Sequence, residues 1–213
     1  MTISKRSELI TNVYKWLIRD ETTESFITQE TIHTYIQFAE AELNRELKVL
    51  DLEQTEDVTL STSQNFVNLP ADYRGIKSFE FDTRPFDIQY FSSRREMKEK
   101  FSNETGRPQA YIIFGGKIIF NCTPDSAYEM TLDYYGEIDA LDGDDATNDI
   151  LDKHPDVYLY GTIRQALINI NNKSRLEAIA PLYNNILERI KEDDKTARFP
   201  SGARMQPKNM IGG

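Results

Sequence analysis

The sequence lacks several features on which common protein classes depend. It has one cysteine, Cys122, in 213 residues, so no internal disulfide can form; this suits a reducing compartment, and stability has to come from packing. It contains no apolar run approaching the ~20 residues that a membrane-spanning helix requires. Residues 1–6 lead into an amphipathic segment rather than a signal peptide. We therefore expect a soluble protein that is made inside a cell.

Positive charge is also scarce. The chain has 25 Lys and Arg residues against 35 Asp and Glu residues, which gives a formal net charge of −10. An acidic surface repels DNA and anionic lipids, which argues against a general nucleic-acid or membrane-surface binder. The 39% of apolar residues excludes a wholly disordered chain. A chain of this length can bury about 70% of the surface that its unfolded form exposes, which is enough for a substantial core.

Apolar residues at helical spacing dominate the first fifty residues. They predict one helix over residues 4–19 and a second over residues 28–48. Thr28 is suited to cap the N-terminus of the second helix, and Ile27 before it can pack on Ile32 in the spacing of a hydrophobic staple. An isolated helix of this length is marginal in water, so its apolar stripe must be covered by further helices.

The last third of the chain returns to helical spacing. Pro155 suits the first turn of a helix, and the apolar residues after it predict a central helix over residues 155–172. Apolar positions from Leu176 to Ile190 predict one more helix, in which Pro181 is expected to produce a kink. With two helices at the start and two at the end, we expect the ends of the chain to form one helical bundle.

Between these helical parts the pattern changes to the alternation that is typical of half-buried strands. Residues 58–69 predict a hairpin with a turn at its centre. The strongest local pattern is Gly115-Gly116 between two apolar, β-branched segments, because a tight two-residue turn requires positive φ values. Ser93 and Glu96 have capping-box spacing and predict a short helix among the strands. Short strands at this spacing favour an antiparallel sandwich or small barrel.

These patterns together predict an α+β protein. Residues 1–52 and 150–194 are expected to form an antiparallel four-helix bundle. Residues 53–149 are expected to form an inserted antiparallel β domain, either a small sandwich or a barrel, that ends in an acidic linker. Residues 195–213 show no periodicity and are expected to form an extended C-terminal tail.

Few residues are candidates for catalysis or for binding a metal or phosphate, and a simpler structural role explains each of them. The acidic segment 142–149 has enough oxygen atoms for a calcium loop, but its glycine comes second rather than sixth and no glutamate occupies the twelfth position. His33 and His154 have no local partner at metal-binding spacing. Cys122 is expected to be a small core residue, and the glycine pair of the hairpin precedes a strand, so it is not a phosphate loop. We therefore predict no catalytic, cofactor-binding or metal-binding residue.

One cluster of basic residues occurs before the tail. Arg94, Arg95, Lys98 and Lys100 form this cluster, and glutamates interleave with them. We expect a solvated helix face here, with a nucleic-acid contact as the alternative.

The C-terminal tail differs from the rest of the chain in charge. From Arg198 onward it has three basic residues and no acidic residue, although the whole chain is acidic. Such an asymmetry is typical of a segment that orders when it docks on an acidic surface of another chain. The candidate contacts with that other chain are its basic and large apolar side chains: Arg198, Phe199, Arg204, Met205, Lys208, Met210 and Ile211.

The order of short motifs along the chain carries a family resemblance. After two helices come Leu69-Pro70-Ala71-Asp72-Tyr73, Gly106-Arg107-Pro108-Gln109-Ala110-Tyr111 before the glycine hairpin, Pro124-Asp125, Tyr134-Tyr135, and His154 to Gly161 at the start of a helix. Over nearly the whole chain this order resembles the head-to-tail adaptor (connector) proteins of tailed bacteriophages. The resemblance implies a ring subunit, commonly in twelve copies, that lies beneath the portal and joins a helical bundle to a β domain.

The resemblance also implies partners. The bundle and the C-terminal extension would contact the portal protein, tail or nozzle proteins would attach on the other side, and DNA would pass through the central channel without sequence-specific binding. An acidic channel lining suits such passage, because fixed cations would bind phosphate and slow the DNA. No cofactor and no membrane is implied. The protein would be made in the host cytoplasm and lie in the neck of the virion, between capsid and tail.

Two other functions stay open beside this structural, non-enzymatic role. A β-rich binding module of the tail or baseplate would recognise a host surface or another tail subunit through residues 53–136. A small hydrolase with catalytic groups dispersed along the chain would depend on residues such as His154 or Cys122. The family resemblance favours the assembly protein over both.

Overall fold

The structure is a computed structural model that describes residues 3–17, 27–81 and 88–198. In chain order its elements are α1 (Arg6–Leu17), α2 (Gln29–Glu46), a 3-10 helix (Leu50–Leu52), β1 (Glu53–Leu60), β2 (Phe66–Asn68), β3 (Tyr73–Phe81), β4 (Gln89–Tyr90), α3 (Arg94–Lys100), β5 (Ala110–Phe114), β6 (Lys117–Phe120), β7 (Tyr128–Gly136), α4 (Asp149–Lys153), α5 (Pro155–Asn169) and α6 (Lys173–Arg198). The predicted α+β class is confirmed.

The chain forms two compact units. Met1–Asp51 and Ile138–Gly213 make up the first, called the helical unit, and Leu52–Glu137 make up the second, called the insert. Among the described residues, the helical unit has five α-helices rather than the four expected, because the acidic segment before Pro155 contains the short helix α4.

Helix α5 is central to the helical unit, since it packs on α1, α2 and α6. Pro155 occupies the first turn, where its missing N–H costs no helical hydrogen bond, as the sequence predicted. Full burial of a large apolar side chain stabilises a fold by about 1.5–3 kcal/mol. The buried residues of α5 are Val157, Tyr158, Gly161, Thr162, Ile163, Ala166 and Leu167.

Helix α2 begins with a side-chain cap, whereas Ser93, which was expected to cap α3, makes no side-chain cap hydrogen bond. The Thr28 hydroxyl accepts a bond from the Thr31 backbone N–H at 3.2 Å, and the Thr31 hydroxyl accepts one from the Thr28 N–H at 2.8 Å. The predicted N-cap of α2 is therefore confirmed, and such a cap contributes about 1 kcal/mol. After α5, Asn171 has a φ of 55°, the left-handed conformation that ends many helices.

Helix α6 continues through Arg198, so the first residues of the predicted extended tail, 195–198, are helical. Polar contacts rather than an apolar stripe stabilise this last turn. One oxygen of the Asp194 carboxylate accepts a bond from the Leu50 N–H at 2.7 Å, and the other accepts one from the Arg198 guanidinium at 2.7 Å. Such contacts leave no trace in apolar periodicity, which explains why the sequence pattern stopped short of the helix end.

The acidic segment before α5 is folded rather than a simple linker. The carbonyl oxygens of Asp144 and Ala146 accept bonds from the first N–H groups of α1, those of Ser7 and Arg6, at 3.1 and 2.9 Å. The Asn148 side chain caps α4 by accepting a bond from the Leu151 N–H at 2.8 Å. The segment therefore supplies acceptors to two helix N-termini, where orphan N–H groups require them.

The insert is a sandwich of two sheets and not a barrel. One sheet has the order β1-β7-β3 and the other β2-β6-β5-β4. The predicted hairpin over residues 58–69 is wrong, because β1 pairs with β7 while β2 pairs with β6 in the other sheet. The Gly115-Gly116 hairpin between β5 and β6 is confirmed, with φ values of 61° and 71°.

One strand pairing departs from the predicted antiparallel domain. Strands β4 and β5 are parallel, because the chain between them crosses back through helix α3. Helix α3 then covers one face of the second sheet, where Met97 packs with Ala110 and Ile112. The insert is consequently three-layered, with the two sheets joined by a core of Leu60, Val67, Phe81, Ile118, Phe120, Met130, Leu132 and Tyr134.

Candidate interaction surfaces

The predicted partner contacts lie at and beyond the end of α6. Arg198 is the one predicted contact within the described residues, and its side chain is 21% exposed and paired with Asp194. The other six lie outside the described residues: Phe199, Arg204, Met205, Lys208, Met210 and Ile211. Helix α6 thus presents the start of the tail at the surface of the helical unit near Leu50, whose N–H binds the same carboxylate.

The residues considered as catalytic or metal-binding candidates, Cys122, His33 and His154, have structural contacts. Cys122 is buried, its thiol lies 3.3 Å from the Gly106 carbonyl oxygen, and burial raises the pKa of that thiol. The expected core role of Cys122 is confirmed. His33 lies 4.0 Å from an Asp142 oxygen, and His154 occupies the junction of α4 and α5. Within the described ranges, no cluster of His, Cys, Asp and Glu is arranged to hold a metal ion.

A buried polar network joins α2 and α5 to the acidic segment. A Glu40 carboxylate oxygen accepts bonds from the Leu141 N–H at 2.9 Å and the Tyr158 hydroxyl at 3.5 Å. The Tyr158 hydroxyl in turn accepts a bond from the Asn148 amide at 2.8 Å. Burial raises the pKa of Glu40 and also that of Tyr158. With its donors and acceptors mutually satisfied, the network holds the segment against α2 rather than presenting a reactive group.

The insert carries a different surface, a groove of about 450 Å³ between α3 and the β5–β6 hairpin. Its basic residues are Arg94 and Lys98 from α3 and Lys117 from β6, and its exposed aromatic residue is Phe114, at 66% exposure. No acidic side chain lines it; the remaining lining residues are Asn65, Phe66, Met97, Asn103, Gly115, Ile119, Phe120 and Asn121. We call this surface the cationic groove.

Aromatic rings position the charges of the cationic groove. The Arg94 guanidinium lies 5.3 Å from the centre of the Phe114 ring, and the Lys117 ammonium lies 3.8 Å from that of Phe66. Such cation–π contacts contribute about 0.5–1 kcal/mol at exposed sites. No described carboxylate pairs with Arg94, Lys98 or Lys117.

The basic residues that cluster in the sequence, from Arg94 to Lys100, therefore lie in two different environments. Arg95 is 87% exposed and pairs with Glu99 along the helix, as expected of a solvated face. Arg94 and Lys98 instead join the cationic groove, which sequence analysis missed. The signal that could have revealed it is the exposed Phe114 and Lys117 on the two sides of the glycine turn, because hairpin partners that flank a tight turn share one face of a sheet.

The outer face of the other sheet is acidic. Strand β7 alternates between buried and outward residues, and its outward residues include Glu129 and Asp133. The Asp133 carboxylate accepts bonds from the hydroxyls of Thr55 and Ser78, both at 2.9 Å. The Thr131 hydroxyl donates to Asp57 at 2.9 Å. We call this surface, with Asp57, Glu80, Glu129 and Asp133, the acidic face.

The comparison with known families identifies the chain. Its sequence matches the SU10 adaptor protein family over residues 1–206. The chain belongs to this family. The SU10 adaptors are a family of phage head-to-tail adaptors, so the family resemblance carried by the motif order is confirmed. No curated protein sequence matches the chain.

Membership of the adaptor family indicates the general function of the chain. It is a family of structural adaptors, which indicates a bacteriophage virion component at the head–tail junction and contacts with other phage structural proteins. None of the described helices combines the length and apolar composition that a membrane span requires.

Proposed function

We propose that this adaptor forms a ring beneath the portal protein and joins the capsid to the tail. The ring has about twelve copies, as the family resemblance implies, and DNA passes through its channel without sequence-specific binding. The observation that carries the proposal is the family match over residues 1–206, nearly the whole chain. The net charge of −10 supports it, since an acidic lining would not retain the DNA backbone.

The C-terminal tail is proposed to bind the portal or a neighbouring subunit. Its contacts are Arg198, Phe199, Arg204, Met205, Lys208, Met210 and Ile211, a set that combines apolar anchors with basic groups. The basic groups suit an acidic surface on the partner, and the apolar groups suit pockets in it. Tail or nozzle proteins are proposed to bind the opposite side of the ring. The adaptor is proposed to act without catalysis or cofactor.

The helical unit is proposed to support this docking as an antiparallel four-helix arrangement. Helices α1, α2, α5 and α6 would make up the bundle, and α4 would close one end of it. Support comes from the packing of α5 on the other three helices. The tail would then leave the bundle at the end of α6, beside Leu50.

Electron microscopy of the adaptor mixed with the portal protein of its phage tests the proposal. A closed ring of adaptor density on the portal is the expected result, and its absence would overturn the proposal. Arg204→Glu with Lys208→Glu should reduce ring occupancy about tenfold if these tail charges contact the partner. Lys15→Glu, an exposed charge reversal on α1, is the matched control and should leave occupancy unchanged.

A further inference from the structure

We propose that the cationic groove of one adaptor copy binds the acidic face of a second copy, so that neighbouring subunits join insert to insert. The inference rests on the proposed ring and names one of the contacts that would close it. The occupant of the groove is a second copy of this chain.

The occupant of the cationic groove has to be acidic. Arg94, Lys98 and Lys117 bring three positive charges to one concave surface that has no acidic lining residue. Two of these charges are held over aromatic rings rather than by carboxylates. A partner that brings carboxylates would gain ion pairs with groups whose position is already set, which lowers the entropic cost of binding.

The adaptor's own C-terminal tail has the wrong charge for this site, since it has basic and no acidic residues. The acidic face has the right charge. Two of its four carboxylates, Asp57 and Asp133, are fixed by threonine and serine hydroxyls. Lys77, a basic residue of β3, is already paired with Glu53. The threonine methyl groups between the carboxylates offer Phe114 an apolar surface to pack on.

The two surfaces lie on opposite sides of the insert. The acidic face is the outer side of the β1-β7-β3 sheet, because Met130 and Leu132 of β7 point inward to the shared core. The cationic groove lies on the α3 side of the other sheet, where Met97 and Ile119 pack. A contact between opposite sides is head-to-tail, and a head-to-tail contact generates a closed ring when its rotation permits. This is the type of contact that the proposed assembly requires.

Isotope-resolved cross-linking tests the contact directly. Equal amounts of unlabelled and 15N-labelled adaptor are assembled on the portal and treated with a carbodiimide, which joins lysine amines to adjacent carboxylates. The expected product links Lys98 or Lys117 to a peptide from β1, β3 or β7. Half of these links should combine a labelled with an unlabelled chain, which identifies them as links between copies.

Charge reversal provides the second measurement. Arg94→Glu with Lys98→Glu should reduce ring occupancy on the portal about tenfold, and Glu80→Lys with Glu129→Lys in the same chain should restore it, since the ion pairs are then re-formed with opposite signs. Arg95→Glu is the control, because it lies on the same helix, reverses a neighbouring basic charge and does not line the groove. It should change occupancy less than twofold.

The outcomes separate this inference from the proposed function. If the wild-type adaptor forms no ring on the portal, the proposed function fails. If a ring forms but the groove variant assembles as well as Arg95→Glu and no mixed-isotope link is found, the groove contact is wrong while the ring stands. If the groove lysines link instead to the portal or to a tail protein, the inference is also wrong, and that protein is the occupant.

Discussion

The Tyr183 ring lies 3.0 Å from the position that a β-carbon would occupy at Gly161. Gly161 is on α5 and Tyr183 on α6, and the tyrosine side chain is fully buried. A fully buried ring moves only at a cost in a close-packed interior, so the close approach of the two helices depends on the missing side chain. This contact explains why a residue that weakens helices lies in the centre of the helical unit.

Gly161→Ala should destabilise the helical unit by up to about 2 kcal/mol. Overpacking against Tyr183 costs about 1–3 kcal/mol, and the better helix propensity of alanine offsets about 1 kcal/mol of it. Urea unfolding followed by the fluorescence of Trp16, the single tryptophan, measures the helical unit. Leu182→Ala, next to Tyr183 but 49% exposed, is the control and should cost less. A stabilised Gly161→Ala variant would contradict the packing argument.

Glu40→Gln should change the pH dependence of stability. Burial raises the pKa of Glu40 above its ordinary value of 4.5. Because the folded state holds this proton to higher pH than the unfolded chain, the wild-type free energy of unfolding falls as pH rises from about 4.5 through the raised pKa. Glutamine can still accept the Leu141 N–H but does not titrate. The stability of Glu40→Gln relative to wild type should therefore increase over that pH range.

Two further measurements complete this test. Urea titrations at several pH values, read from Trp16, give the difference in free energy of unfolding directly. Glu40→Ala is the matched comparison, since it also removes the titrating group but leaves the Leu141 N–H without its acceptor. It should be less stable than Glu40→Gln by about 1–3 kcal/mol at every pH. A difference between Glu40→Gln and wild type that stays constant with pH would count against the raised pKa.

Arg164→Ala should cost more than removal of an exposed cation. The Arg164 guanidinium binds the Glu42 carboxylate with both side chains about one-fifth exposed, and it lies 4.8 Å from the centre of the Tyr183 ring. Its removal leaves Glu42 in a partly buried site with the Gln165 amide as its other partner. Partial exposure screens the pair, so we expect a loss of about 1–3 kcal/mol.

Lys191→Ala is the comparison for that variant within the same unit. Lys191 pairs with Glu46 and Glu188, but these carboxylates are 50% and 69% exposed. Its loss should cost under about 1 kcal/mol by Trp16 fluorescence. Equal costs for the two variants would show that the stacking of Arg164 on Tyr183 contributes nothing.

Asn121→Ala should loosen the start of β5. The Asn121 side-chain oxygen accepts bonds from the N–H groups of Gln109 and Ala110 at 2.9 and 3.0 Å, and its amide donates to the Ser102 carbonyl at 3.0 Å. Each orphaned N–H costs about 1–3 kcal/mol, so amide hydrogen exchange at residues 109 and 110 should accelerate at least about tenfold. Asn103 is exposed and lines the cationic groove together with Asn121. Asn103→Ala is therefore the control and should leave these exchange rates unchanged.

Local residue spacing was enough to predict several helix starts and turns, and motif order was enough to predict the family. The Thr28 cap, the Pro155 helix start and the Gly115-Gly116 turn all depend on residues within about four positions of one another, so short-range spacing was enough to predict them. The order of motifs from Leu69 to Gly161 was enough to predict the adaptor family.

Local patterns do not show which distant strands pair or which distant side chains meet, because long-range packing sets both. Strand alternation records the face that a residue occupies but not its partner, so β1 and β2 looked like a hairpin although they belong to different sheets. The helical end of α6 depends on the bond between Asp194 and Leu50, residues far apart in the chain. The cationic groove likewise brings α3 to the β5–β6 hairpin, because long-range packing sets that contact and local spacing does not.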